Sequence, residues 1–385
     1  MKDVKLSDYA FTGLGHGQIA DLRTLDAADK NRILNAGVDL DTCDGSAVFM
    51  HMDQSNVHCE SRDPGLELMD IKAAMKKYDG LQDYAWRLVP PDKDEFTRNV
   101  FANVHGGYFI RTKPGARIAK PVQSCMFLKA NHGGQNVHNV VIVEEGSEVH
   151  IMTGCSTASE AMSAAHLGIT EFYVKKGGKL TFTMIHNWGD HATVRPRSVG
   201  VVEEGGVFQN NYVLLNPVGT LQMYPAINLN GRGSIARFNS VIVTPPGSYV
   251  DAGNRVIMNA PDTRCEIISR TITTGGVNIA RGHIAGHAVP CRGHLECKSL
   301  ILGGGQSLAI PELDGTVEGV ELSHEAAVGK IAQDEIEYLM ARGLDEAEAT
   351  STIVRGFLNV DIMGLEGPLA RAIQEQVEKI DTRAM

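Results

Sequence analysis

The chain has 385 residues, 43% hydrophobic and 21% charged, the balance of a globular protein with room for one large domain or two to three ordinary ones. Acidic residues outnumber basic ones by 46 to 36, and no run of Lys or Arg forms a stripe, which excludes nucleic acid as an expected partner. The polar start Met1-Lys2-Asp3-Val4-Lys5 leads into no apolar signal core, and no apolar stretch of about 18 residues follows, so a cytoplasmic chain without a membrane span is expected.

In chain order, residues 1–105 read as a mixed α/β region. Helix-period patterns occupy Leu22–Ala36 and Leu68–Tyr78, and Val89-Pro90-Pro91-Asp92 reads as a turn or linker. Cys43, His51, His58 and Cys59 have no standard zinc spacing. These two cysteines and Cys125, Cys155, Cys265, Cys291 and Cys297 are widely scattered. Their odd number argues against a disulfide framework. In a reducing compartment such thiols are buried small hydrophobes, metal ligands or sulfur carriers.

Residues 106–320 carry an internal period. A polar pair, a glycine-type turn and an alternating β-prone run recur as Lys113-Pro114-Gly115-Ala116-Arg117-Ile118 and Glu144-Glu145-Gly146-Ser147-Glu148-Val149. Further copies are Lys175-Lys176-Gly177-Gly178-Lys179-Leu180 and Glu203-Glu204-Gly205-Gly206-Val207-Phe208, with weaker ones beyond. The turn positions 115, 146, 177, 205, 233, 262 and 293 stand 28 to 31 residues apart. The 41 glycines suit such a chain, because glycine supplies the positive φ of tight turns. The period predicts a mainly β fold, a β-solenoid in which each repeat buries its apolar side against its neighbours. A β-sandwich with regular turns is the alternative.

Cys155 falls nine residues after Gly146, and Cys125 ten after Gly115. Near-equal phase puts them in neighbouring layers, about 4.8 Å apart if one repeat makes one coil and about twice that if it makes two; a true one-residue offset would turn one to the other face. Cys265 and Cys291 fall at turns and read as structural, and His283 and His287 as surface residues. Gly303-Gly304-Gly305-Gln306 lacks the Lys-Ser/Thr of a P-loop, so no nucleotide site of that kind is expected.

Residues 321–385 read as a helical domain. Gln333–Arg342 has helical spacing, with Gly343 after its end. Asp345 caps a second helix, with Glu346 and Glu348 in its first turn and Ile353, Val354 and Phe357 on its apolar side. A third helix is expected near Leu369–Ile380.

The stretch Leu322-Ser323-His324-Glu325-Ala326-Ala327-Val328-Gly329-Lys330-Ile331 closely resembles the start of the C-terminal domain of the SufB/SufD family of iron–sulfur cluster assembly proteins. Tyr338-Leu339-Met340-Ala341-Arg342-Gly343-Leu344 and Ile353-Val354-Arg355-Gly356-Phe357 continue the match. Gly154-Cys155-Ser156, Phe172-Tyr173-Val174-Lys175-Lys176-Gly177 and Ile185-His186-Asn187-Trp188 are similar to SufB. The resemblance covers roughly residues 105–360, and the short N-terminal region looks like that of compact archaeal-type members.

The resemblance implies a right-handed parallel β-helix core between a mixed N-terminal region and a C-terminal helical domain. It implies a non-enzymatic scaffold that holds a transient 4Fe–4S cluster for apo iron–sulfur acceptor proteins. Two copies would pair through their β-helices, as a homodimer or a SufB/SufD-type heterodimer. A SufC-type ABC ATPase would dock on the C-terminal helices, through Tyr338, Leu339, Arg342, Ile353 and Phe357.

Cys297 resembles the SufB cysteine thought to hold the nascent cluster near the dimer interface, with His294 and Glu296 nearby. His324-Glu325 matches a His-Glu pair implicated in cluster formation there, and Cys155 a cysteine proposed to accept persulfide sulfur. Cys125 joins the expected ligand set through its phase with Cys155. Soft thiolates suit an iron–sulfide core, and a scaffold that must release its cluster favours an incomplete thiolate set finished by imidazole, carboxylate or a partner chain. Phe127 and Lys129 stand where SufB has an Arg and an Asn of a proposed sulfur tunnel, and His186 replaces its Gln. That tunnel is therefore not carried over. One rival is a SufD-like subunit that binds the ATPase but no cluster. The other, a β-helix polysaccharide hydrolase, would need a carboxylate cluster in an open groove.

Overall fold

The structure, a computed structural model, describes residues 4–358 apart from 43 and 162. Cys43 and the expected helix near 369–380 lie outside those residues. Each repeat forms one coil of a parallel β-solenoid of about eight turns that crosses two facing sheets, the crossing of the second sheet being split into two short strands in two of the coils. The first sheet runs from Val122–Leu128 through Glu148–Thr157, Lys179–Asn187, Val207–Leu214, Ile235–Thr244, Thr263–Thr273 and Cys291–Ile301 to Glu321–Gly329. The second includes Gly133–Val143, Ala164–Val174, Arg197–Val202, Tyr249–Met258, Val277–Gly286 and Gln306–Gly315.

The period is set at the corners. Gly115, Gly146, Gly177, Gly205 and Gly233 hold φ between +63° and +70°, left-handed backbone that a Cβ would strain. Each corner amide donates to a carbonyl of the next corner: Gly115 to Glu145, Gly146 to Lys176, Gly177 to Glu204. Asp262 takes the sixth corner at φ +61° and donates to Pro290. The seventh corner therefore falls at Pro290-Cys291 and not at the expected Gly293, which lies inside Cys291–Ile301. Cys265 is likewise inside a strand, and both it and Cys291 are buried in the core between the sheets. That core is filled by alternate side chains. Phe172 lies 5.0 Å from Phe182 and 5.3 Å from Phe208, ring to ring, and Phe238 follows 5.8 Å beyond Phe208.

The N-terminal region caps one end of the solenoid. Ala47–Met52 extends the first sheet as a parallel neighbour of Val122–Leu128, and Ser55–Ser61 closes that edge antiparallel. Leu66–Asp70 closes the second sheet against Tyr108–Thr112. The pattern over Leu22–Ala36 resolves into a single 3-10 turn, Leu22–Thr24, and a helix, Ala27–Leu34. The pattern over Leu68–Tyr78 divides between the strand Leu66–Asp70 and the helix Ile71–Lys77, because apolar spacing over so few residues fits either period.

Three contacts lock this cap down. Arg32 donates from Nε to the Thr157 carbonyl at 2.8 Å and from Nη2 to the Asn187 carbonyl at 3.0 Å. Gly154 lets the chain at Ala36 pass, since a Cβ there would stand 2.5 Å from the Ala36 carbonyl oxygen. Glu171, fully buried, accepts the amides of Trp86 and Leu88 at 2.6 Å and of Val89 at 3.2 Å, and pairs with His138 at 2.8 Å. The segment around Val89, expected as a linker, is thus clamped to the second sheet.

At the far end the expected switch to helix after Glu321 is corrected: Glu321–Gly329 is the last strand of the first sheet. Its Leu322, His324 and Ala326 alternate with Ser323 and Glu325, a period-2 run that the helical stretch behind it masks. Two helices follow, Gln333–Met340 and Glu346–Leu358. Asp345 caps the second, accepting from the Glu348 amide at 2.8 Å while its own amide donates to the Glu348 carboxylate at 2.9 Å. Val354 and Leu358 pack on the outer face of the first sheet against Met152, Ile185, Val213 and Val241, at about 1.5–3 kcal/mol for each buried side chain. No helix among the described residues is long and apolar enough to cross a membrane.

Two consequences are measurable. Glu171→Ala removes the acceptor of three amides and strands His138, so chemical denaturation should show a loss of about 3 kcal/mol, with new protease cuts near residues 86–92. Burial holds His51 at about 3 and His166 at about 4, against an ordinary value of 6.5. The unfolded chain then binds protons that the folded one refuses. Stability is complete above about pH 6.5 and should fall toward pH 4 by about 1.4 kcal/mol per pH unit for each such histidine, which unfolding at stepped pH would read.

Candidate functional site

The strand Cys291–Ile301 alternates strictly. Leu295, Cys297 and Ser299 turn into the solenoid, while His294, Glu296 and Lys298 turn outward. Cys297 is fully buried, and burial pushes its thiol up to about 11. One layer covers it before the end of the solenoid, and its ladder partner in that layer is the small Ala326.

The terminal strand carries His324 opposite Leu295 and Glu325 opposite Glu296. His324 therefore shares the inward side with Cys297, and Glu325 takes the outer side. The expected His324-Glu325 pair is divided, because consecutive strand residues face opposite ways. Glu325 sits 2.9 Å from Lys298, and that contact lowers its carboxyl below the usual range. Glu296 pairs with Arg270 and lies 3.4 Å from Lys298, while His294 stands 3.0 Å from the Ser323 hydroxyl. The outer side is thus a ladder of ion pairs, and His294 and Glu296 do not face Cys297.

Cys155 lies five layers from Cys297 in the same sheet, about 24 Å along the solenoid. Its ladder neighbours are Met126 and His186, whereas Cys125 pairs with Gly154. The one-residue offset is real. Cys155 points into the core between the sheets, and Cys125 packs on the opposite face with Val48, Met50 and Phe127. The expected Cys125/Cys155 row does not exist, and burial raises both thiols. Phe127 shares the outward side of Cys125, and Lys129 binds Asp29 at 2.6 Å, so neither lines the interior beside Cys155.

Around Cys155 the interior is polar. His186 Nδ1 lies 2.9 Å from the Tyr212 hydroxyl, and the rings of His166 and His186 stand 5.2 and 5.3 Å from Trp188. Burial drives His186 well below its ordinary value, so it is neutral. Tyr212 and His51 belong to this interior group, and no motif spacing marks them. Their alternation with Val213 and Met50 carries the signal, once the register is known.

Of the expected docking residues, Tyr338 is 58% exposed, with the Arg342 guanidinium 4.5 Å above its ring. Leu339 and Ile353 are half-buried. Phe357 packs against the chain's own first sheet, with Arg270 5.8 Å from its ring. Among the described residues no group of three or more His, Cys, Asp or Glu is arranged to hold a metal ion. Cys125, Cys155, Cys297, His324 and Glu325 thus form no single centre within one chain.

The profile of the SUF system FeS cluster assembly SufBD core domain matches residues 126–357. An iron–sulfur cluster assembly SufBD family protein of Archaeoglobus fulgidus is 49% identical over 351 residues, 91% of this chain and 94% of the relative. One from Methanothermobacter thermautotrophicus (strain Delta H) is 39% identical over 98% of this chain and 94% of its own. The iron–sulfur cluster assembly protein SufB of Bacillus subtilis is 31% identical over 76% of this chain and 64% of its own. With its solenoid, its C-terminal helices and similarity along most of its length, the chain belongs to the SufBD family of iron–sulfur cluster assembly proteins.

Proposed function

We propose that this chain is a cytoplasmic scaffold that holds a nascent iron–sulfur cluster between two copies of its open solenoid end and works with a SufC-type ABC ATPase. The observation that carries this is the shared inward side of Cys297 and His324, one layer apart at the end of the solenoid that, among the described residues, no antiparallel strand closes. Leu308, Leu313 and Val328 are exposed at that end. Pairing there with a second copy, or with a SufD-type chain, would cover them and the free strand edges.

In a homodimer, Cys297 and His324 of each copy give two thiolates and two imidazoles. Such a set is sufficient for a transient 4Fe–4S cluster and weaker than four cysteines, which suits release to an apo acceptor protein. Iron displaces the thiol proton that burial otherwise retains. Glu325, on the outer side, would act as a proton acceptor near the interface and not as a ligand. Cys155, in its polar interior, would carry persulfide sulfur. Cys125 keeps a packing role.

The ATPase would bind the exposed helix Gln333–Met340 through Tyr338 and Arg342, with Leu339 and Ile353 at the rim and Phe357 fixing the second helix. A SufD-like subunit that docks the ATPase and holds no cluster is the second reading. Its support is the burial of both Cys155 and Cys297.

Iron, acid-labile sulfide and visible absorption, measured on protein co-expressed with its ATPase and purified without oxygen, separate the two. A brown complex with matched iron and sulfide is expected, reduced at least about 10-fold in Cys297→Ser, several-fold in His324→Ala, and unchanged in Cys125→Ser. A complex that stays colourless after reconstitution with iron and sulfide, yet keeps the ATPase, would favour the SufD-like role. In a titration with the ATPase, Tyr338→Ala should weaken binding about 10-fold and leave the melting temperature alone, whereas Phe357→Ala should lower the melting temperature.

A further inference from the structure

The outer face of the second sheet carries basic side chains that the cluster site does not use. The ladder is broken there: Pro196 and Pro225 have no amide hydrogen, and the strands Ala192–Val194 and Thr220–Met223 end just before them. Two arginines fill the break. Arg195, fully buried, donates from Nη1 to the Val194 and Thr220 carbonyls at 2.9 and 3.0 Å, and from Nη2 to the Thr220 hydroxyl at 3.0 Å. Arg197 repeats the pattern on Pro196 and Gln222, and its Nε holds Asp94 at 2.6 Å. Beyond it, Arg281 grips Asp251 at 2.5 and 3.1 Å.

Several donors remain unmatched. Arg195 has no carboxylate within ion-pair distance among the described residues, and its Nε has no partner. Arg255 makes no side-chain hydrogen bond or ion pair among the described residues, although its Nε is buried. The Tyr224 hydroxyl is buried and unpartnered as well.

The register brings these groups together. Met223 pairs with Ala252 and Ala226 with Arg255, so Tyr224, in the break between Thr220–Met223 and Ala226–Leu229, stands one coil from Arg255, on the side away from the core. Gly253, which pairs with Arg281, puts no side chain between Tyr224 and Arg281. Lys93 reaches the cluster from the loop before the helix Glu95–Ala102. Burial, and then the nearby Arg197 and Arg255, holds its ammonium below the ordinary value. Glu312 is the carboxylate that acts most on Tyr224.

We propose that these groups on the outer face of the second sheet bind a phosphate-type oxyanion, with Arg255, Lys93 and the Tyr224 hydroxyl as donors. Adjacent layers are about 4.8 Å apart, which a single tetrahedral oxyanion bridges, and a guanidinium fork matches its oxygens. The site is local. A chain of net charge −10 has no general attraction for anions, so saturable binding would report these residues and not the overall field. The phosphate could be free or part of a nucleotide, and both present the same oxygens.

Calorimetric titration of the full chain with inorganic phosphate, diphosphate and ADP, at low ionic strength and without metal, tests this. Saturable binding by at least one is expected, weakened at least about 10-fold in Arg255→Gln and several-fold in Tyr224→Phe, with ligand-free melting temperatures unchanged. Binding by ADP alone would assign the phosphate to a nucleotide; binding by phosphate or diphosphate as tight as ADP would assign it to the free ion. No saturable binding by any of the three, or wild-type affinity in Tyr224→Phe and Arg255→Gln, would overturn the proposal.

Discussion

Backbone hydrogen bonds between successive coils hold this molecule together, and they also decide its chemistry. In a parallel ladder the register fixes the layer of each residue and the side of the sheet that its side chain takes. Cys125 and Cys155 differ by one position in phase, and that difference sends one thiol outward under the N-terminal helix and the other into the interior beside His186. The same rule separates His324 from Glu325. It leaves an imidazole on the side of Cys297 and a carboxylate within the outer ion-pair ladder with Lys298.

The two ends of the solenoid differ in kind. At the N-terminal end antiparallel strands close both sheets; Arg32 fastens its segment to main-chain carbonyls of the coils, and Glu171, from a coil, holds main-chain amides of the segment at 86–89. At the C-terminal end, among the described residues, the last strand of each sheet pairs on one side only. A free parallel edge with apolar side chains invites a partner, and proteins seldom leave one uncovered without use. Cys297 lies just beneath that edge, where a buried thiol becomes a ligand only if something reaches it through the open layer.

Much of this was legible in the amino acids. The glycine corners at 115, 146, 177, 205 and 233 gave the period, because only glycine takes that φ without strain, and the period gave the solenoid. Asp345 and Gly343 marked the helix boundaries through their capping chemistry. The last corner was misplaced at Gly293 because Pro290-Cys291 makes it without a glycine. Ala47–Met52 escaped notice because a strand added from outside the repeat has no period to reveal it. The sides of Cys125, Glu325 and Phe357 were out of reach for a different reason. Motif spacing names residues, but only the register, and the helix that covers the first sheet, say which way they face.

The claim on which the functional account rests is that the cluster is held between two chains at the open end. Sedimentation of the anaerobic protein, with its iron and sulfide counted per chain, tests it directly when wild type is set beside Val328→Arg, a charge placed in the exposed apolar edge. The account predicts a wild-type dimer with one cluster per two chains, and a variant that sediments as a folded monomer and holds no cluster. A wild-type monomer that carries a full cluster, or a Val328→Arg monomer that keeps one, would contradict it.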